Sequence, residues 1–429
     1  MRLFDSQYPI IKDGISVHFW KDLAILTDEI GVLSQYENVK YELNEQYTNV
    51  IALCDGTKSI ADISDQMLHL YNEKKDNVIG MIEKMCDENI LYVADLPKAK
   101  QVYWGERGRS YPLHLSLELT NRCNFACDFC YKTAKSIGSC MNSSTIYAIH
   151  SLIGGKTKNI QFTGGEPFLN DRIDEYIKLF ANHNISIISN GSLLYDHDDS
   201  VLQKVSLYQL SLYGCGENDY YKNTRNPTGW NRLNLSIDKL NRLKCNYHLS
   251  VVLNKDNYLR IEEYVQAAIK LGARKIIFGT QTPVGRGLSS NSCLSIDEFR
   301  IAYRLMRIIK RKYYEAIDIE EWSHRGFSSG DNNEDLPAKP YQGLLSCGSG
   351  TIQFVVSQNG KVRPCELLPE EYFDLGGLEI IEDVIQGHFV GANIRNNALK
   401  YNIKLNKYSK DYAMFCGPLE HLIQKGEKE

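Results

Sequence analysis

The sequence predicts an α/β fold, a partial (β/α)6 barrel with a small winged helix-turn-helix domain before it and a cysteine-bearing segment after it. Two observations predict the barrel. Six short β-rich runs, at residues 113–119, 159–163, 185–189, 207–212, 246–253 and 274–278, follow one another along the chain. Helical patterns such as 173–181, 230–243 and 259–271 lie between them, and regular β/α alternation implies a parallel sheet with helices outside it. A third observation is length. At 429 residues the chain exceeds the ~250 residues that one core usually fills. The expected division is 1–96 for the first domain, 97–112 for a linker, 113–320 for the barrel and 341–429 for a third domain.

Each element has a local cause. In the first domain, strands are expected at 15–20, 24–27 and 39–43 and helices at 45–54, 60–71 and 77–87. Asn44 can cap the first helix, Asp55-Gly56 can close it, and Ser59 can cap the second. The polar stretch 97–110 interrupts the periodic patterns and reads as a linker. Leu113, Leu115, Leu117 and Leu119 alternate as a half-buried strand requires. A helix is expected over 296–314, then a charged loop over 323–340. There is no internal repeat and no low-complexity tract.

Bulk properties exclude several classes. With 49 basic against 53 acidic residues and a formal charge of -4, no basic run marks a nucleic-acid groove. No apolar run of about 18 residues could span a bilayer, and the N-terminus lacks the apolar core of a signal peptide. A cytoplasmic, soluble protein without nucleic-acid or membrane partners is expected. In a reducing compartment the twelve cysteines stay thiols, available to metals or catalysis.

Parallel sheets bind ligands at the carboxyl ends of their strands. After the first barrel strand come Cys123, Cys127 and Cys130, spaced x3 and x2 in a polar loop. Three thiolates suit a cubane iron–sulfur cluster whose fourth iron is left open to chelate a substrate. A structural zinc site is the plain alternative, but no fourth Cys or His lies close in sequence. The second strand ends in Gly164-Gly165-Glu166-Pro167, where the glycines let a ligand approach the backbone and the carboxylate can pair with an ammonium.

These motifs in this order resemble the radical S-adenosylmethionine (radical SAM) superfamily. The resemblance implies a 4Fe-4S cluster on Cys123, Cys127 and Cys130, whose open iron takes the amino and carboxylate groups of S-adenosyl-L-methionine. Gly164, Gly165, Glu166 and Pro167 would receive the methionine amino group. Phe129 would border the cofactor, Ser189, Asn190 and Ser211 would face its ribose and carboxylate, and Arg225 would pair with the carboxylate. Gly285-Arg286-Gly287 resembles another recurrent segment, with no role beyond lining the barrel mouth. Electron transfer from the cluster would yield a 5'-deoxyadenosyl radical.

In the third segment, Cys347 and Cys365 flank a hairpin turn at Gln358-Asn359-Gly360. With Cys416 they resemble a twitch or partial SPASM extension, which implies one auxiliary iron–sulfur cluster. Its fourth ligand stays open among Cys293, a non-cysteine side chain and a substrate thiol. Cys54, Cys86, Cys140, Cys215 and Cys245 are expected to act as small hydrophobes.

The first domain resembles the PqqD-like element that recognises precursor peptides, through Leu43-Asn44-Glu45, the run from Leu53 to Ile60 and Ile90-Leu91. In that family a leader peptide adds as a strand to an exposed sheet edge, for which 39–43 is the expected site. DNA binding and a purely structural cap are the alternatives. As a whole the chain resembles thioether-forming maturases of ribosomal peptides. The implied reaction joins a cysteine sulfur of a precursor peptide to one of its carbons, with flavodoxin or ferredoxin as reductant. Carbon–carbon or carbon–oxygen crosslinking, Cα epimerisation and a non-catalytic leader-binding adaptor are the other readings.

Overall fold

In the computed structural model, residues 3–28, 39–100, 103–282, 284–288, 290–320 and 349–389 are described. The chain falls into two compact units: Met1–Leu113 with Gly155–Lys158 and Val384–His388, and His114–Gly154 with Asn159–Asp383 and Phe389–Glu429.

The first unit runs β1 (Tyr8–Ile11), β2 (Ile15–Trp20), β3 (Leu23–Asp28), β4 (Val39–Leu43), α1 (Glu45–Ile51), α2 (Ile60–Tyr71), α3 (Lys75–Asp87), β5 (Leu91–Ala94) and β6 (Tyr103–Gly105). Strands β4, β3 and β2 pair antiparallel, and β6 joins β2 in parallel, so β4 and β6 form the sheet edges. The expected linker thus contributes a strand to this unit. Its approach is fixed by hydrogen bonds from Lys98 N to Gly56 O (2.9 Å) and Lys100 N to Asp55 O (3.0 Å). Three residues pairing with a remote strand leave no periodicity to read in sequence.

Apolar residues at helical spacing on α2 (Ile60, Ile63, Met67) and α3 (Val78, Ile82, Met85) pack with Val17 and Leu26 of the sheet and Val50 of α1 into one core. The caps lie as expected. Asn44 Oδ1 accepts from Tyr47 N at 3.0 Å, and Ser59 and Asp62 form a reciprocal capping box. Helix α1 ends at Ile51, three residues short of the expected Cys54, because Asp55 turns its carboxylate to Thr57 N instead.

The second unit carries a nine-stranded sheet. Its strands are β7 (His114–Thr120), β8 (Asn159–Gly164), β9 (Asn184–Ser189), β10 (Leu207–Ser211), β11 (Tyr247–Leu253), β12 (Lys275–Thr280), β13 (Asp318–Glu320), β14 (Gln353–Val356) and β15 (Val362–Arg363). From β7 to β13, neighbours in sequence are neighbours in space and all pair in parallel. Helices α4 (Ser143–Ile153), α5 (Ile173–Leu179), α6 (Asp199–Leu202), α7 (Glu217–Thr224), α8 (Gly229–Leu243), α9 (Ile261–Lys270) and α10 (Ile296–Lys312) connect them. All six expected barrel strands are present within two residues of their expected ends.

Three features differ from expectation. Strand β13 adds to the β12 edge. At the other edge β14 pairs in parallel with β7, so residues 349–383 of the expected third domain continue the barrel sheet and cover an edge that would otherwise present unpaired backbone groups. The hairpin turn at Gly360 then leads into β15, antiparallel to β14. Lastly, β7 is not half-buried. Leu115, Leu117 and Leu119 are buried, but so are Ser116, Glu118 and Thr120 on the opposite face, because a curled sheet encloses both sides of its strands. No helix among the described residues is long and apolar enough to cross a membrane.

The capping box gives a direct test. Ser59→Ala removes the acceptor for Asp62 N and is expected to lower stability by about 1 kcal/mol, read as a lower midpoint in urea unfolding. An unchanged midpoint would contradict the role given to this cap.

Candidate functional site

The loop after β7 is folded back on itself before any ligand is considered. Cys123 N donates to Lys135 O (2.7 Å) and Asn121 N to Ser139 O (3.2 Å), which bring the two limbs of the loop together, while Cys130 N donates to Cys127 O (3.3 Å). Cys127 is buried, and Cys123 and Cys130 are partly buried. Burial pushes the Cys123 thiol up to about 12, with the Glu166 carboxylate adding to the effect. Burial also raises Cys127, and the neighbouring Cys123 and Cys130 thiolates raise it further. The sulfurs are not without polar support. Phe125 N donates to Cys123 Sγ at 3.4 Å, and the Asn190 side-chain amide stands 4.0 Å from it.

The GGEP segment packs directly on this loop. Gly165 N donates to Thr120 O (2.7 Å) and Glu166 N to Arg122 O (2.8 Å). Gly164 has φ +138°, and a Cβ there would stand 2.2 Å from Thr120 O, so only glycine lets the two strand ends lie this close. Glu166 is fully buried. One oxygen accepts from Ser189 Oγ (2.8 Å) and Phe168 N (3.2 Å), the other from Asn190 N (2.8 Å). Burial nevertheless raises its pKa to about 7, against the lowering effect of these hydrogen bonds. In the cofactor-free chain the carboxylate therefore ties the end of β8 to the end of β9. Pro167 opens the short turn that follows.

Asn190 extends the network. Its side-chain Nδ2 donates to Asn124 Oδ1 (2.8 Å) and its side-chain Oδ1 accepts from Ser192 N (2.9 Å) and Oγ (2.6 Å). Ser211 lies at the end of β10, and its backbone oxygen accepts from Tyr220 Oη at 3.2 Å. The Tyr213 ring stands 5.9 Å from Phe129 and 5.8 Å from Phe125. Arg225 caps α7 in the left-handed region, and its guanidinium meets Asp128 Oδ2 at 2.9 Å with both side chains more than half exposed. Its loop rests on the cysteine loop through Ala126 N to Thr224 O (2.9 Å). The expected residues of the cofactor set thus lie at strand ends or on the loops that follow them, except Arg225, which ends α7 and reaches the cysteine loop through Asp128.

Two further groups of side chains brace this site, one marked in the sequence only as lining the barrel mouth and one not marked at all. Arg286, given no specific role, grips the cysteine loop from the end of β12: Nε donates to Cys127 O (2.8 Å), Nη1 to Ala134 O (2.6 Å), and its backbone N to Cys130 O (3.0 Å). Gly285 has φ +61°, and a Cβ there would lie 2.3 Å from Tyr131 O. The Gly-Arg-Gly pattern was the available signal. The second group is a cluster of buried charges. Glu118 Oε1 accepts from both Lys132 Nζ and Arg363 Nη2, and Tyr131 Oη donates to Glu366 Oε2 at 3.3 Å. Burial, with Arg363 beside it, pulls Lys132 down to about 7. Nothing in the sequence pairs residues this far apart.

Of the expected auxiliary ligands, Cys365 follows β15 and is partly buried, while Cys347 and Cys416 lie outside the described residues. Cys293 is buried and its thiol faces Gly287 O at 4.0 Å. Cys54 sits in the apolar core of the first unit. Cys140 is exposed, which corrects its expectation as a small hydrophobe: it sits where the loop returns to bridge the buried Thr120 at the end of β7. Among the described residues no three His, Cys, Asp or Glu side chains are gathered as for a single metal ion. Ligands of a cubane bind different irons and stand farther apart than ligands of one ion.

The residues present fit an iron–sulfur cluster with S-adenosylmethionine. Three cysteines share one loop, glycine backbones come within van der Waals limits of it, and the raised thiol pKa values are what binding of a soft metal would reverse. Residues 117–268 match the model of the Radical SAM superfamily. The chain is 21% identical over 438 residues to the antilisterial bacteriocin subtilosin biosynthesis protein AlbA of Bacillus subtilis (strain 168), covering 96% of this chain and 92% of that one. It is 24% identical over 298 residues to the sporulation killing factor maturation protein SkfB of the same strain, covering 68% of each. Streptococcus suis SuiB has a similar fold, with a TM-score of 0.62 at 16% identity, over 96% of this chain and 99% of that one.

Glu166 gives this site a pH signature. Its folded pKa of about 7 lies above the ordinary 4.5, so the folded chain holds this proton more tightly than the unfolded chain does. The associated stability is full below about 4.5 and is lost as pH rises through about 7, on the order of 3 kcal/mol. In denaturant unfolding of the cofactor-free protein, Glu166→Gln is expected to remove that part of the pH dependence. Parallel pH profiles for parent and variant would contradict it.

Proposed function

The chain carries a radical SAM domain and is an enzyme of that superfamily, and from that premise we propose that it matures a ribosomally made precursor peptide by joining a cysteine sulfur of that peptide to one of its carbons. The observation that carries the reading is the strand-end loop with Cys123, Cys127 and Cys130, braced by the GGEP turn and by Arg286. The cofactors of the superfamily are a 4Fe-4S cluster and S-adenosylmethionine. When bound, they supply a carbon radical that removes a hydrogen atom from an unactivated carbon.

The chain's own residues prepare that chemistry. Cys123, Cys127 and Cys130 would hold the cluster as thiolates. Arg286 fixes the backbone on which two of those thiols stand, and its positive charge favours the Cys127 thiolate. Gly164 and Gly165 open the backbone to the methionine amino group, with Glu166 and Pro167 shaping the turn. Ser189, Asn190 and Ser211, at or just past the ends of β9 and β10, would line the ribose and carboxylate. Arg225, exposed and paired with an equally exposed Asp128, can turn to the carboxylate at small cost. Phe129 and Tyr213 supply an apolar wall beside them. Cys365, together with Cys347 and Cys416, would hold an auxiliary cluster.

A peptide substrate is supported by the relatives. AlbA and SkfB are a bacteriocin biosynthesis protein and a killing-factor maturation protein, and SuiB, of similar fold, has been solved with its precursor peptide SuiA. In this reading the first unit receives the leader along β4, an edge strand whose outer backbone groups are free of sheet partners among the described residues. A small one-electron carrier, flavodoxin or ferredoxin, would serve as reductant.

Thioether formation removes one hydrogen from carbon and one from sulfur. Anaerobic incubation of the reconstituted enzyme with a cysteine-containing precursor, S-adenosylmethionine and reductant, followed by alkylation and mass spectrometry, is expected to show loss of two hydrogens and of one alkylatable thiol. Loss of two hydrogens with every thiol still free would replace the thioether by a carbon–carbon or carbon–oxygen link. Unmodified peptide despite cleavage of S-adenosylmethionine would contradict the peptide substrate.

A further inference from the structure

The buried charge cluster beneath the cysteine loop is not used by the function proposed above. Glu118 lies on the inner face of β7 with its side chain 4% exposed, and its Oε1 accepts from two cations, Lys132 (14% exposed) and Arg363 (4% exposed). Lys132 stands two residues past Cys130, and Arg363 two residues ahead of Cys365. One carboxylate therefore touches the exit of the first cysteine loop and the approach to the second cysteine-bearing segment. Arg363 is anchored further by Nη1 to Leu368 O at 2.8 Å. Glu366, on the far side of Cys365, accepts from Tyr131 Oη at 3.3 Å and from Gln161 Nε2. Two carboxylates and two cations thus interlock around Lys132 and Cys365.

Paired charges of this kind hold geometry more than they add stability. Replacing a buried pair by apolar groups is often tolerated, whereas removing one partner leaves an uncompensated charge. Lys132 and Arg363 reach Glu118 from segments more than two hundred residues apart in the chain, so the carboxylate sets the spacing between those segments. We propose that Glu118 is a positioning residue that, through Lys132 and Arg363, locks the Cys123–Cys130 loop and the Cys365 segment into one fixed arrangement. This inference rests on the reading that Cys123, Cys127 and Cys130 hold the cluster that binds S-adenosylmethionine.

The test uses anaerobically reconstituted full-length protein: the parent, Glu118→Gln, Arg363→Gln, the double variant, and Asp65→Asn as an exposed control. Iron content and the electron paramagnetic resonance spectrum of the reduced cluster are read with and without S-adenosylmethionine. Glu118→Gln is expected to keep its far-ultraviolet circular dichroism, to lose at least twofold in bound iron, and to shift the g values seen with S-adenosylmethionine. The double variant, which removes the same contact from both ends, is expected to lose no more iron than Glu118→Gln alone and to show the same g values, and Asp65→Asn to match the parent throughout. Should Glu118→Gln fail to fold, Arg363→Lys, which keeps the charge but not both contacts, is expected to show the same shift in smaller measure. Parent-like iron and g values in folded Glu118→Gln, or single-variant effects that simply add in the double variant, would overturn the positioning role while leaving the cluster assignment intact. A parent that takes up no iron would instead overturn the cluster assignment itself, and this role with it.

Discussion

Taking thiols out of water opposes the ionisation that a metal requires, and the rest of this site is arranged around that conflict. Burial pushes Cys123 up to about 12 and raises Cys127 as well. A thiolate in such a place needs positive charge or hydrogen-bond donors, and iron supplies far more of the former than any side chain. The protein supplies the remainder: the Phe125 amide at Cys123, and the Arg286 guanidinium beside Cys127. Backbone hydrogen bonds to Lys135, Ser139 and Thr224 close the loop on which the thiols stand.

The sheet makes this possible by giving its inner face to polar groups. On β7 the leucines face one side while Ser116, Glu118 and Thr120 face the other, and all are buried. On β8 and β9 the strand ends converge on Glu166, which Ser189 and Asn190 hold from the next strand. A polar interior is costly unless its groups find partners. Here they find one another, so the interactions that satisfy them also fix the mouth of the barrel.

Much of this was legible in the sequence, for physical reasons that also mark where legibility ends. Strands β2 and β4 and helix α2 lie at their expected bounds, since alternation and a Ser59–Asp62 box are local signals. The cysteine spacing and the GGEP turn named the site because motif and strand context coincide. Strands β6, β13 and β14 were not read as parts of these sheets: each is three or four residues long and is defined by a remote partner rather than by its own pattern. Glu118 was hidden among alternating leucines, where a polar residue reads as solvent-facing. Arg286 and Arg363 act through contacts to residues far away in the chain, which spacing does not encode. The short extent of α1 is a smaller case, in which Asp55 bonded forward to Thr57 rather than extending the helix.

The central claim is that the loop after the first barrel strand is where S-adenosylmethionine is reductively cleaved. Release of 5'-deoxyadenosine by iron-loaded protein under strong reductant measures it most directly, in the parent and in Cys127→Ala, whose buried thiol is the best shielded of the three. The account predicts 5'-deoxyadenosine from the parent and none above background from Cys127→Ala. Equal release from both, or none from an iron-loaded parent, would contradict it.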